Sequence, residues 1–347
     1  MTEYEKLLDE YSAKIEKNLS NFLKKEIEFA CGYHSFIESL YKNLYEFTFS
    51  GGKRLASCST LLIYKGYSDK IDRKILSVCS GIELYRHSIL IHDDLVDADK
   101  LRRGAKTIHA MYSEDYNTRF GGSVAIFAGN IYYTLAVNAF IDSTFSSNRI
   151  LKVMRILNCA FKDVNDSQLL DLLFENKFPS INEWYIMASK RAASLFRASM
   201  LIGATLANAP SKDVLLLKEA SENIGYCFDI QDDIIDTFAS KDQYGRSPGE
   251  DLLKNKKPLH IVYTLMMASQ SQLRVLQNIT EKNISENLPK IRKIISNCGA
   301  LEEAKKKSIQ HAYKAKKLIL ETKMNDDVKN FYVSFIDYVK DSLNWYK

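Results

Sequence analysis

The chain has 347 residues, 46% of them hydrophobic and 26% charged, with a formal net charge of +5. Fourteen glycines and five prolines are about half the usual share, which excludes turn-rich sandwiches, barrels and doubly wound sheets and favours long helices. The modest charge gives no nucleic-acid footprint. Six cysteines (Cys31, Cys58, Cys79, Cys159, Cys227 and Cys298) lie far apart with no CxxC pair, which excludes a zinc framework or disulfide scaffold and points to a reducing, cytoplasmic compartment.

Apolar residues recur at i, i+3, i+4 and i+7 along almost the whole sequence. They predict helices over residues 2–28, 35–48, 53–66, 72–98, 121–142, 149–174, 182–208, 212–238, 257–281, 284–297, 299–322 and 326–345, with no strand. The first segment lacks the apolar core of a signal peptide. The most apolar stretch, 120–140, carries Gly121, Gly122, Gly129, Asn130 and Asn138; it reads as a core or subunit-interface helix, not a transmembrane segment. Breaks at Ser50-Gly51-Gly52, Arg103-Gly104, Pro179-Ser180, Pro210-Ser211 and 244–249 are too short to be linkers. A single all-α domain over 1–347 is therefore expected, with a second helical subdomain left open.

Two segments share one pattern. Leu90-Ile91-His92-Asp93-Asp94-Leu95-Val96-Asp97 and Asp229-Ile230-Gln231-Asp232-Asp233-Ile234-Ile235-Asp236 each read apolar–polar–Asp–Asp–apolar–apolar–Asp. On a helix Asp93 and Asp97 share a face, with Asp94 beside them. Like charges at that spacing repel, and Asp is a mediocre helix former, so a cation should compensate. Hard oxygens on a rigid surface suit Mg²⁺, which keeps waters and shares its sphere with phosphates. If the two helices face each other, Asp93, Asp94, Asp97, Asp232, Asp233 and Asp236 form a cage for Mg²⁺ and a diphosphate. One such cluster alone reads more readily as a solvated helix face; two copies flanked by Ile and Leu make that the lesser reading.

Basic segments answer the carboxylates. Gly51-Gly52-Lys53-Arg54 precedes a helix start, where backbone and side chains both favour anions. Leu101-Arg102-Arg103-Gly104 follows the first cluster within reach of the same site. In order with Glu83, Thr107-Ile108-His109, Gln168-Leu169-Leu170-Asp171, Lys190 and Phe228, these segments resemble the trans-polyprenyl diphosphate synthases, in particular short-chain members such as geranylgeranyl and farnesyl diphosphate synthases. The resemblance covers about Gly51 to Lys257.

The resemblance implies an all-α isoprenoid synthase fold, a large helical bundle around a central cavity, forming a homodimer. It implies a head-to-tail prenyltransferase that condenses isopentenyl diphosphate with an allylic diphosphate by Mg²⁺-assisted ionisation. Carried over, Asp93, Asp94, Asp97, Asp232 and Asp236 bind Mg²⁺, with Asp233 beside them. Arg102 and Lys190 hold the allylic diphosphate, and Gly52, Lys53, Arg54 and Arg103 hold isopentenyl diphosphate. Several positions depart from the family. Arg86 replaces a His that helps hold isopentenyl diphosphate, Gly129-Asn130 replaces Gly-Asp, Arg246 stands where Lys is common, and Lys256 lies in Asn255-Lys256-Lys257-Pro258 instead of Gly-Lys-x-Thr. Arg191 and Asp229 replace a Thr and a Gln near the reacting carbon. They are expected to form a salt bridge; the alternative has Arg191 facing solvent and Asp229 as a further carboxylate of the metal or a salt bridge.

Aromatic residues one turn before the first cluster stop chain growth in this family. Here Ser88 and Ile89 stand there, which implies geranylgeranyl diphosphate as product, with longer chains or farnesyl diphosphate as alternatives. Phe127, Tyr132 and Tyr133 could then supply the floor. A terpene cyclase would lack the second Asp-Asp-x-x-Asp and the Gly-Gly-Lys-Arg segment. A non-catalytic regulatory subunit would be expected to have lost the Asp clusters.

Overall fold

Almost every apolar repeat in the sequence is a helix in the computed structural model, which describes residues 3–68, 70–240, 248–277, 280 and 283–341. By its internal contacts the chain divides into two compact units, Met1–Arg155 with Ile202–Ala209, and Ile156–Leu201 with Pro210–Lys347.

The first unit contains α1 (Glu3–Cys31), α2 (Ser35–Phe49), α3 (Leu55–Tyr67), α4 (Arg73–Val96), a hairpin of β1 (Leu101–Arg102) and β2 (Ala105–Lys106), α5 (Ile108–Asp115), α6 (Thr118–Ile141) and the start of α7 (Ser147–Asn176). Helix α1 buries Tyr11, Ile15, Leu19 and Leu23, a stripe at four-residue spacing that fixes its inward face. Asp72 caps α4 by accepting the amides of Lys74 and Ile75, and Asn117 caps α6 through Phe120, each satisfying amides the helix leaves open. Helix α6 is long and apolar enough to cross a membrane, yet Val124, Ala125, Ala128, Tyr132, Leu135, Ala136 and Phe140 are buried in this unit.

The second unit continues α7 and adds α8 (Ile181–Ala188), α9 (Ala192–Leu206), whose last turns belong to the first unit, and α10 (Ser211–Phe238). Then follow α11 (Glu250–Leu253), α12 (Leu259–Met267), α13 (Gln270–Gln277), α14 (Ile284–Asn297), α15 (Ala300–Leu320) and α16 (Asp326–Asp341). Its core gathers Trp184, Ile230, Ile234, Leu259, Ile291, Ile295 and Ala304.

The structure departs from the periodicity in several places, the short α11 among them. The span 182–208 is two helices, α8 and α9. Ser189 caps α8 with its hydroxyl on Ile186 O, 2.7 Å, and the amides of Lys190 and Arg191 bond three residues back, to Met187 and Ala188. That tight turn resets the helix axis just before Ala192. The span 257–281 breaks at Ala268, whose backbone is extended. Residues 108–115 form α5, too short to declare a period. The expected absence of strands fails at one two-residue hairpin, where Arg103 and Gly104 both have positive φ (52° and 78°), the signature of a type I′ turn.

Gly225 lets α10 approach α9: a Cβ there would collide with the backbone of Ala193. This contact lies one turn before Asp229 and two residues after Arg191. Gly225→Ala should cost about 1–3 kcal/mol through overpacking and lower the thermal midpoint. An unchanged midpoint would contradict the close packing.

Candidate active site

The last turn of α4 carries Asp93 and Asp94, and Asp97 follows as its C-cap. Carboxylates at a helix C-terminus oppose the helix dipole, so their persistence there calls for nearby cations. The hairpin supplies one. Arg102 donates through Nε to Asp94 Oδ1 at 2.5 Å and through Nη2 to Asp93 Oδ2 at 3.3 Å. The hairpin is tied down where the Asp99 carbonyl accepts from the Thr107 hydroxyl (2.7 Å) and His109 Nε2 (2.8 Å); His109 thus has a structural partner.

Asp94 is 1% exposed. Burial pushes its pKa up to about 7 despite the opposing charge of Arg102, and its Oδ2 has no hydrogen-bond partner. A buried carboxylate oxygen left unpartnered is costly, and a divalent cation would satisfy it. Among the described residues no three His, Cys, Asp or Glu side chains converge into a closed metal cage. Mg²⁺ seldom uses one, binding through one or two carboxylates, waters and phosphate oxygens. The donor set therefore fits that ion.

The Gly-Gly-Lys-Arg loop needs a correction. Arg54 sits in the left-handed region at the start of α3 (φ 51°), which turns its side chain inward to 3% exposure. Its guanidinium donates to Glu16 Oε1 (2.8 Å), Glu83 Oε2 (3.3 Å) and Thr48 O (2.7 Å). It lies over the Phe49 ring. Glu83 is itself buried and accepts from Ser57 at 2.7 Å, while His87 Nδ1 donates to Glu83 O. Arg54 is thus a buried counter-ion joining α1, α3 and α4, and not a group presented to phosphate.

The accessible cations of this unit are others. Arg103 lies against Gly52, where any side chain would strike its guanidinium, and it donates to Gly51 O. Burial, and next the charges of Arg86, Arg102 and Arg54, bring its pKa down to about 10. A guanidinium pressed by its own kind marks a place for an anion. Lys53 and Arg86 are half-buried in the same unit.

In the second unit the break between α8 and α9 sends two adjacent cations apart. Lys190 does not reach the second aspartate cluster; its ammonium pairs with Asp166 (2.8 Å) and Asp163 (3.2 Å) on α7. Arg191 does reach it. Its Nε donates to Asp229 Oδ1 at 3.2 Å and its Nη2 to both oxygens of Asp233 at 3.2 Å. The expected Arg191–Asp229 bridge is present, and Asp233 was an unforeseen second partner. Burial raises Asp229 to about 6 and Asp233 well above the usual range, with Arg191 opposing both. Asp236 is buried and accepts the Asp251 amide at 3.3 Å, while Asp232 is half-buried.

Lys256 pairs with Asp171 at 3.4 Å, and Asp171 also lies 3.9 Å from Arg191. Asp171 was missed as a site residue; its place in the Gln168-Leu169-Leu170-Asp171 segment, one turn after Gln168, was the available signal. Arg246 lies outside the described residues. Ser88 is fully buried with no partner for its hydroxyl, and Ile89 is half-buried. Of the three aromatic floor candidates, Phe127 is 64% exposed and Tyr132 spends its hydroxyl on Thr48 and Leu44 O. Tyr133 packs on α4, edge-on to Tyr85 at 6.4 Å.

Residues 37–298 match the polyprenyl synthetase family. The chain belongs to that family. It is 30% identical over 274 residues to a short chain isoprenyl diphosphate synthase of Methanocaldococcus jannaschii, spanning 79% of this chain and 77% of that one. It is 27% identical over 309 residues to a geranylgeranyl diphosphate synthase of Sulfolobus acidocaldarius, spanning 88% and 87%. The crystal structure of geranylgeranyl pyrophosphate synthase from Corynebacterium glutamicum, complexed with isoprenyl diphosphate and magnesium, shares the fold with a TM-score of 0.89 over 98% and 99% of the chains at 20% identity. The protein is a trans-prenyltransferase with an all-α isoprenoid synthase fold.

Arg54→Met should strand the buried Glu83 charge and cost about 3–5 kcal/mol, read as a lower urea midpoint. Arg54→Lys should not restore it, because an ammonium cannot span the three acceptors. Unchanged stability with selective loss of isopentenyl diphosphate binding would instead return Arg54 to the substrate.

Proposed function

We propose that the chain makes geranylgeranyl diphosphate, with Asp93, Asp94, Asp97, Asp232 and Asp236 holding Mg²⁺ on the diphosphate of the allylic substrate. The observation that carries the metal reading is the buried Asp94, with one oxygen on Arg102 and the other unpartnered. When bound, Mg²⁺ would neutralise charge growing on the departing diphosphate, a Lewis-acid role.

The chain's own groups do the rest. Arg102, poised on Asp93 and Asp94, offers its remaining donors to the leaving diphosphate, so negative charge there meets a fixed guanidinium. Arg191 replaces Lys190 as the cation beside the second cluster. Arg103, Arg86 and Lys53, with the Gly51-Gly52 backbone, hold isopentenyl diphosphate; Arg246 adds charge to a diphosphate, and Lys256 acts through Asp171. No protein base is assigned, because the released diphosphate can take the proton lost after the new carbon–carbon bond forms. Both units act as one catalytic domain on these substrates.

Ser88 and Ile89 leave the first turn before the aspartates without an aromatic stop, and the edge-on pair Tyr85–Tyr133 one turn further back ends chain growth. The outer face of α6 shows Ile126, Phe127, Asn130, Thr134, Asn138 and Ile141 with no charged residue among them, an uncharged stripe suited to a second copy in a homodimer. Six free cysteines accord with a cytoplasmic enzyme.

The purified chain, given isopentenyl diphosphate, Mg²⁺ and each allylic primer, should yield geranylgeranyl diphosphate as its end product by mass spectrometry. Tyr85→Ala should shift the products to longer chains. Products ending at farnesyl diphosphate would overturn the reading of Ser88 and Ile89, and no turnover would overturn the catalytic reading.

A further inference from the structure

Arg191 is the one cation the tight turn after α8 aims at the carboxylate face of α10. Its Nε donates to Asp229 and its Nη2 to both oxygens of Asp233, and Nη1 lies 3.9 Å from Asp171. With Lys256 on Asp171, two cations stand against three carboxylates that are each about nine-tenths buried or more. A divalent ion on the same oxygens of Asp233 would lie within a few Å of the guanidinium, where repulsion in a half-dry site is strong. Ion and guanidinium therefore compete for these carboxylates.

We propose that Arg191 is a built-in counter-ion standing where a metal ion would otherwise bind: it claims Asp229 and Asp233, and leaves Asp232 and Asp236 as the metal carboxylates of this cluster. This rests on the metal reading above. Arg191 is then a positioning residue that lowers the number of divalent ions the second cluster takes. Removing it leaves two buried, mutually repelling carboxylates with no guanidinium between them, a place that draws a further metal ion.

The test counts bound Mn²⁺ by electron paramagnetic resonance on the full chain with inorganic diphosphate present. Arg191→Gln should bind at least one more equivalent than the parent chain, or bind about tenfold tighter, and its thermal midpoint should rise more steeply with Mn²⁺. Adding Asp229→Asn to Arg191→Gln should remove the extra site. Asp229→Asn alone, which keeps the guanidinium on Asp233, should leave the count unchanged; it serves if Arg191→Gln does not fold. Equal counts and affinities for the parent and Arg191→Gln, or a lost equivalent in Asp229→Asn, would overturn this inference alone. No Mn²⁺ bound by the parent chain would overturn the metal reading and this inference with it.

Discussion

Carboxylates buried in apolar helices are the constraint on which the rest depends. A lone ionised Asp taken out of water is costly, and two or three on one helical face also repel one another. Each cluster therefore needs cations at fixed positions, and the fold supplies them from short irregular segments. The two-residue turn Arg103-Gly104 lets Arg102 reach back to Asp93 and Asp94, and the turn at Ser189–Arg191 sets Arg191 on Asp229 and Asp233. Long helices give rigidity, and these brief interruptions place the charge.

The arginines divide into two kinds by the same physics. Arg54 is fully spent on protein acceptors and stabilises the junction of α1, α3 and α4. Arg103 is crowded by like charges and is the kind of group that gains when an anion arrives. A residue's neighbours, more than its type, thus decide between structural and binding work.

The helical architecture and both aspartate clusters were legible in the sequence, because helical spacing and a repeated Asp-Asp-x-x-Asp survive without tertiary knowledge. What was not legible turned on local backbone. The break at Ser189 is invisible to an apolar period that continues across it, and it sends Lys190 to Asp163 and Asp166 while Arg191 turns to Asp229 and Asp233. The left-handed conformation of Arg54 has no sequence mark, since neither neighbour dictates it. The Arg191–Asp229 pair was readable only because the resemblance puts both positions near one reacting carbon, where an unpaired member of either sign would be too costly to bury.

The proposed joint action of the two clusters on one leaving diphosphate is tested most directly by a double-mutant cycle in turnover. Asp93→Asn and Asp232→Asn are each compared with the double variant under saturating substrates. If both residues serve the same departing group, each single change should cost nearly as much kcat as the pair, a strongly non-additive result. Free-energy losses that simply add would mean that the two sites work independently, and a fully active Asp232→Asn variant would remove the second cluster from the chemistry.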